Sequence, residues 1–213
     1  MLNITRLPEP LSLIAYRQQP NAEYDGSQFT PVKSDIRTKL LISQGYLCAY
    51  CMTRITDDRL LMKIEHWKCQ DNYPQYQLNY TNMFAVCLGS TPKEQHCDSS
   101  KGNQDLTIDP ANNIKKVELF IKYTRMGEIY VENDNNISKD LNVTLNLNHD
   151  RLKRNRKAIL DSIITKLSKN KGSATKKDLD ELLEKYSQTN SNGEKMPYCG
   201  IAIYYLKKKI SRI

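Results

Sequence analysis

Cysteines at positions 48, 51, 87 and 97 place the strongest single demand on this chain, because thiols that meet on one cation must tie both ends of that segment together. The Cys48-x2-Cys51 pair makes a tight turn whose two thiolates converge on one ion, and Cys87 and Cys97 can complete a tetrahedral zinc site. Nine residues, "LGSTPKEQH", separate the second pair, where a compact zinc ribbon has about two to four. Closing the longer loop costs about 1 kcal/mol more, small beside the roughly 10–16 kcal/mol of structural zinc. The spacing therefore permits the site. His96, beside Cys97, could replace a cysteine as a metal ligand, or reach a catalytic site through the long insert. Cys69 and Cys199 have no partner at ligand spacing and read as small buried hydrophobes.

Metal ligation is the better reading of these cysteines only in a reducing compartment, which the rest of the sequence favours. The longest apolar run, "CGIAIYYL" at 199–206, is far too short to span a bilayer. The opening "MLNITRLPEPLSLIAY" lacks the charged head, long apolar stretch and cleavage site of a signal peptide. A cytoplasmic location with no membrane association is expected. The formal net charge of +8 attracts polyanions, nucleic acid first.

The chain divides into three parts. Residues 1–45 read as an extended, proline-bearing arm followed by a helix that starts near Thr30-Pro31 and stops at Gly45, with Ile36, Leu40 and Leu41 on one face. Residues 46–137 hold the cysteines and histidines and end in "KKVELFIKYTRMGEIYVEN", which predicts two strands joined at Met126-Gly127. Residues 138–213 read as helical, for partner docking or nucleic-acid contact. "RLKRNRKAILDSIITKL" puts Leu152, Ile159, Ile163 and Leu167 on one face and lysines and arginines mostly on the other. A basic face over 151–171 could hold nucleic acid or an acidic partner surface. The 13 tyrosines are scattered, and no base-stacking role is assigned to them.

Between the two cysteine pairs stands "MKIEHWKCQ", where Glu65 and His66 are adjacent. Phosphodiester hydrolysis needs a base near neutrality, which histidine supplies, and a hard cation held by oxygen ligands. Glu65-His66 fits that division of labour at the end of a strand led by "LLMKI". Asn82 can pin the returning loop through backbone hydrogen bonds, with Asn79 as the neighbouring alternative. Asp98 opens "DSSKG", a helix start that would also place Lys101 near a phosphate.

In order and spacing, Cys48, Cys51, Glu65, His66, Asn82, Cys87, Cys97, Asp98 and Lys101 resemble the signature of the HNH (ββα-metal) endonuclease family. "LCAYC", "IEHW", "NYTNMFAVC", "HCDSSKG" and "LNLNHDRLKRNR" are similar, more narrowly, to the HNH subunits of Septu-type anti-phage systems, PtuB-like proteins also found as retron-associated effectors. The resemblance implies an α+β fold, with a zinc-stapled ββα-metal core embedded in a mostly helical protein. It implies that His66 is the general base, Glu65 and Asp98 ligate a catalytic cation, Asn82 orients the loop, Lys101 contacts substrate, and the four cysteines hold structural Zn²⁺. Asp98 departs from the usual Asn or His, and its added negative charge favours Mg²⁺ or Mn²⁺ as the catalytic ion. The resemblance further implies a separate ABC-type ATPase subunit, a nucleic-acid substrate (DNA before tRNA or other RNA) and a possible assembly with a retron reverse transcriptase and its msDNA. The alternative expectation is a catalytically inactive, zinc-stapled module that binds nucleic acid or a partner. It explains the charge and the cysteines but gives no reason for Glu65-His66 or Asp98.

Overall fold

The computed structural model describes residues 1–58, 60–89, 95–168 and 174–213. Most of the nine-residue insert before Cys97, together with Lys169 and Lys171 of the expected basic face, lies outside them. The order of elements is α1 (Leu11–Arg17), α2 (Phe29–Gln44), β1 (Lys63–His66), β2 (Met83–Val86), α3 (Asp98–Lys101), β3 (Lys122–Tyr123), β4 (Ile129–Tyr130), α4 (Asn135–Lys139), α5 (Asp150–Ser168), α6 (Lys176–Ser187) and α7 (Cys199–Ile210). The strands form two antiparallel pairs, β1 with β2 and β3 with β4, so the chain is α+β as expected.

The amino-terminal arm is packed rather than loosely extended. Its prolines interrupt regular structure, yet Met1, Ile4, Leu13 and Tyr16 are all buried, which is enough apolar surface to hold the segment down. Pro10 precedes α1, and the Ile4 N–H donates to the Pro110 carbonyl at 2.8 Å. Arg6 donates to the carbonyls of Met83 at 2.6 Å and Thr81 at 2.8 Å, with its guanidinium 4.2 Å from the centre of the Phe84 ring. The arm thereby braces the start of β2.

Helix α2 begins at Phe29, so Pro31 falls within the first turn, where its missing N–H breaks no bond. It stops at Gly45, whose φ of 59° lies in the left-handed region that glycine enters without cost. Ile36, Leu40 and Leu41 face the core. Gln44, at the end of the helix, is also buried: its amide donates to Leu47 O at 2.8 Å and Ala85 O at 2.7 Å, and its carbonyl accepts from Ala85 N at 2.9 Å. One side chain thus joins α2, the cysteine turn and β2.

In the β1–β2 hairpin Glu65 pairs with Phe84 and His66 with Met83, and every residue of β2 is buried. The second hairpin is shorter than the strands read from residues 115–133. Val117–Leu119 forms a 3-10 turn, leaving β3 and β4 only two residues each. Gly127 sits in the connecting turn at φ 83°, and a Cβ there would fall 2.2 Å from the Lys153 carbonyl oxygen of α5. Residues Asp140–Thr144 form a π-helical turn that leads toward α5. Along α5 the buried side chains are Leu152, Arg156, Leu160, Ile163 and Leu167, so Leu160 takes the place expected of Ile159, and one of the arginines points inward. Helices α5 and α6 both pack on α7. Thr175 and Asp178 form a reciprocal capping box at the start of α6. The buried apolar residues form one contiguous core from Met1 to Leu206. No described helix is long and apolar enough to cross a membrane.

Candidate metal centre and active site

The Cys48–Cys51 turn closes on itself, with Cys48 N donating to Thr53 O at 2.9 Å and Met52 N to Cys48 O at 3.0 Å. Cys87 follows directly on β2, and Cys97 precedes α3 with a φ of 56°. All four cysteines are buried, and their sulfurs lie within 4.8 Å of one another. Cys48 to Cys97 measures 3.9 Å and Cys51 to Cys87 3.7 Å. A tetrahedron with Zn–S bonds of about 2.3 Å has edges of about 3.8 Å, so the group can hold a metal ion such as zinc. Burial pushes the thiols of Cys48 and Cys97 well up, whereas hydrogen bonds from Cys48, Cys51 and Cys97 pull Cys87 far down. Cys69 and Cys199 are buried elsewhere, outside this group.

His96 is fully buried beside the group but outside it. Its Nδ1 lies 3.1 Å from Cys97 Sγ and 4.0 Å from Cys87 Sγ, and its Nε2 lies 2.9 Å from Nη2 of Arg151 at the start of α5. A guanidinium can only donate. Nε2 therefore carries the lone pair, and Nδ1 carries the proton that points at the cysteine sulfurs. His149 stands nearby, its ring 6.2 Å from that of His96, and its Nδ1 accepts from Arg151 N at 3.3 Å near the helix start.

Alternation along β1 sends Glu65 and His66 to opposite faces. Glu65 turns inward: its carboxylate pairs with Lys101 Nζ at 2.8 Å and accepts from the Tyr50 hydroxyl at 3.3 Å. It is also hydrogen-bonded to Asp98, which forms an ion pair with Lys63. Burial, the hydrogen bond to Asp98 and the charge of Asp98 raise the Glu65 carboxyl to about 9 against the opposing pull of Lys101. Burial would raise Asp98 too, but the Glu65 hydrogen bond together with Lys63 and Lys101 brings it below the ordinary aspartate value. The two carboxyls thus shift in opposite directions, as paired acids at short range do. Both carboxylates are balanced by lysines, Glu65 by Lys101 and Asp98 by Lys63.

On the other face, His66 Nε2 lies 2.9 Å from the Gln77 carbonyl, and the ring of Tyr24 meets the imidazole edge-on at 4.6 Å. A carbonyl only accepts, so Nε2 carries the proton and Nδ1 the lone pair. Burial lowers the His66 pKa, and Lys101 and Lys33 add to the lowering, although the Gln77 bond opposes it. The ring is neutral at pH 7 and basic at Nδ1.

Asn82 holds the loop between the strands. Its carbonyl accepts from Lys68 N at 2.8 Å, and its amide donates to Lys68 O at 3.0 Å and Tyr76 O at 3.4 Å. Asn79 instead caps its own turn, accepting from Thr81 N at 3.0 Å. Lys101, read from the sequence as a substrate contact, is 1% exposed; besides Glu65 it donates to the His66 carbonyl at 3.2 Å. Its ammonium faces the interior. Tyr50, Lys63, Tyr24 and Arg151 were not read as site residues. Lys63 had a usable signal, since it stands two residues before Glu65 and shares its strand face. Tyr50 lies between the first two cysteines but carries no pattern of its own, and Arg151 is 55 residues from His96.

Fold and site together describe an α+β protein with a four-cysteine metal-binding group beside a converging carboxylate pair. No protein-family model matches the chain. It is 26% identical over 132 residues to the Septu protein PtuB of Bacillus thuringiensis, covering 57% of this chain and 49% of that protein. It is 29% identical over 93 residues to a retron Vc95 protein of Vibrio cholerae serotype O1 biovar El Tor described as a candidate HNH endonuclease, covering 42% and 44%. The chain thus spans about half the length of these curated relatives, and over that stretch it resembles HNH-type Septu and retron effectors.

Proposed function

We propose that the chain is a metal-dependent HNH endonuclease that hydrolyses phosphodiester bonds, DNA before tRNA or other RNA, as the effector subunit of an anti-phage defence complex. The observation that carries this reading is the meeting of Glu65 of β1 with Asp98 of α3 beside the four-cysteine group, with His66, next in the chain, holding its Nδ1 lone pair on the opposite face of the strand. The similarity to a Septu PtuB and to a candidate retron HNH endonuclease supports it. Cys48, Cys51, Cys87 and Cys97 hold structural Zn²⁺. Glu65 and Asp98 hold Mg²⁺ or Mn²⁺, which supplies electrostatic stabilisation of the charge that grows on the phosphate. His66 takes a proton from the attacking water at Nδ1 while Gln77 O fixes the ring. Asn82 keeps the loop that carries Gln77 in place. Lys101 would orient the Glu65 carboxylate toward the ion and add positive charge next to a phosphate. In this reading the protein works in the cytoplasm under the control of an ABC-type ATPase, within a Septu-like complex or one that includes a retron reverse transcriptase and msDNA.

The test is cleavage of plasmid DNA and of tRNA, with Mg²⁺ or Mn²⁺, by the complex carrying either the wild-type chain or His66→Ala. Loss of cleavage of at least a hundredfold in the variant is expected; equal cleavage by both rejects His66 as the base. A second reading, an inactive zinc-stapled binding module, draws on Lys101, whose buried ammonium satisfies Glu65 without any other cation. Nucleic-acid binding that survives Glu65→Ala with His66→Ala, and no wild-type cleavage with either metal, selects that reading.

A further inference from the structure

Away from the hairpin, β3, α5 and α7 enclose a cavity of about 730 Å³ that shares no residue with the candidate active site. Its apolar floor is formed by Leu160, Ile164, Leu167 and Ile201. Three tyrosines, 123, 204 and 205, line it as well; Tyr123 is almost wholly buried, with its ring 5.8 Å from that of Tyr204, while Tyr204 and Tyr205 are half-buried. Four cations, Arg125, Lys208, Lys209 and Arg212, also line it, beside the terminal residue Ile213, and no Asp or Glu is among the described lining residues. None of the four makes an ion pair among the described residues. Lys208 instead stands 5.7 Å from the centre of the Tyr204 ring.

Four cations gathered at one recess repel one another, and a bound anion relieves that cost. A small inorganic anion would make no use of the aromatic and apolar interior. An acidic protein surface would meet the cations but has no general need of a nucleotide-sized recess. A flat ring attached to phosphates uses both parts, because tyrosine faces stack on any base and lysine and arginine neutralise the backbone. From this juxtaposition we propose that the cavity is an accessory site for single-stranded nucleic acid, taking one base against Tyr204 and Tyr205 and the flanking phosphates on Lys208 and Arg212. Recognition there is by stacking and charge and so does not depend on sequence. The proposal deepens the nuclease reading by giving the substrate strand a second hold, and binding is measured without cleavage so that either can fail alone.

The probe is a fluorescein-labelled oligothymidylate of eight nucleotides, titrated against the full chain by fluorescence anisotropy without divalent cations. Lys208→Glu combined with Arg212→Glu is expected to weaken binding at least tenfold. Losing two phosphate contacts should also lower the salt slope by about 1.4. Tyr205→Leu is expected to weaken the oligothymidylate about tenfold while leaving an abasic strand of the same length unaffected. Zinc content and circular dichroism establish that each variant is folded. Should one misfold, photocrosslinking of wild-type protein to an oligonucleotide carrying 5-iodouracil decides the matter: adducts at Tyr204 or Tyr205 support the site, and adducts confined elsewhere reject it. Wild-type affinity in the charge-reversed variant overturns the proposal. So does unchanged oligonucleotide binding accompanied by loss of a co-purifying protein, which would make the face a protein docking surface.

Discussion

Arg151 donates to Nε2 of His96 at 2.9 Å and thereby fixes which nitrogen of that ring faces the cysteine sulfurs. The first residues of α5 are thus joined to the metal-binding group through one imidazole. An N–H directed at a bound thiolate disperses its charge, and such supporting contacts are typically worth 10–100-fold in metal affinity. Arg151→Ala and His96→Phe are each expected to speed zinc loss to a colorimetric chelator by about tenfold or more. His96→Gln, which keeps a donor, should recover part of the difference. Identical release rates in all four proteins would reduce His96 to a packing residue.

Removing the metal should cost the chain its cooperative fold. The four cysteines bring together residues 48 and 97 and are themselves part of the core. Structural zinc contributes roughly 10–16 kcal/mol in small domains, comparable with or larger than the whole net stability of a typical protein. Native mass spectrometry is expected to find one zinc per chain. Stripping it with a strong chelator, or substituting Cys48→Ser, should abolish the sharp thermal transition followed by circular dichroism.

Asn82→Ala should loosen one loop while sparing the rest. The variant loses the acceptor for Lys68 N and the donors to Lys68 O and Tyr76 O. At about 1 kcal/mol for each well-formed bond, the expected destabilisation is about 2 kcal/mol. Hydrogen exchange should show lost protection at the Lys68 amide, with protection kept in β2. Cleavage should fall as the loop that carries Gln77 shifts away from His66.

Arg156 is the largest fully buried side chain among the described residues. It donates to the carbonyls of Gly127 at 2.6 Å and Leu147 at 2.8 Å, and to Asn148 Oδ1 at 3.2 Å. Burial lowers its pKa, with Tyr123 opposing the change. Arg156→Ala strands the carbonyls of Gly127 and Leu147, leaves Asn148 Oδ1 with the Ile129 N–H alone, and opens a void, so a loss of about 3 kcal/mol in urea unfolding is expected. Arg154→Ala, an exposed neighbour on the same helix, should change stability by less than about 0.5 kcal/mol.

The same arginine shows where sequence reading reaches its limit. Helical spacing correctly sends Leu152, Ile163 and Leu167 of α5 to the core. It cannot reveal that acceptors in the Gly127 turn and in the segment just before α5 await a guanidinium at position 156, because that demand arises only in the folded chain. The helix ending at Gly45 was legible, since left-handed backbone geometry leaves few alternatives to glycine. Burial of the arm was not, because its prolines hid four apolar anchors. The four-cysteine cluster was legible because thiols at such spacing in a reducing environment have few other uses. The role of Lys101 could be read only in part: its place near the carboxylates follows from one turn of helix after Asp98, but its direction depends on competition between Glu65 and solvent. Tyr123 lies too far along the chain from the adjacent Tyr204 and Tyr205 for any motif to join them.

His66 is the last residue of β1, and the alternating pleat leaves it facing away from Glu65. Anything that engages both side chains has to bend around the tip of that strand, which a compact metabolite is too short to do. On the proposed nuclease reading, discrimination at this point falls on length and continuity of the bound molecule, so a free mononucleotide is expected to bind far more weakly than a long strand.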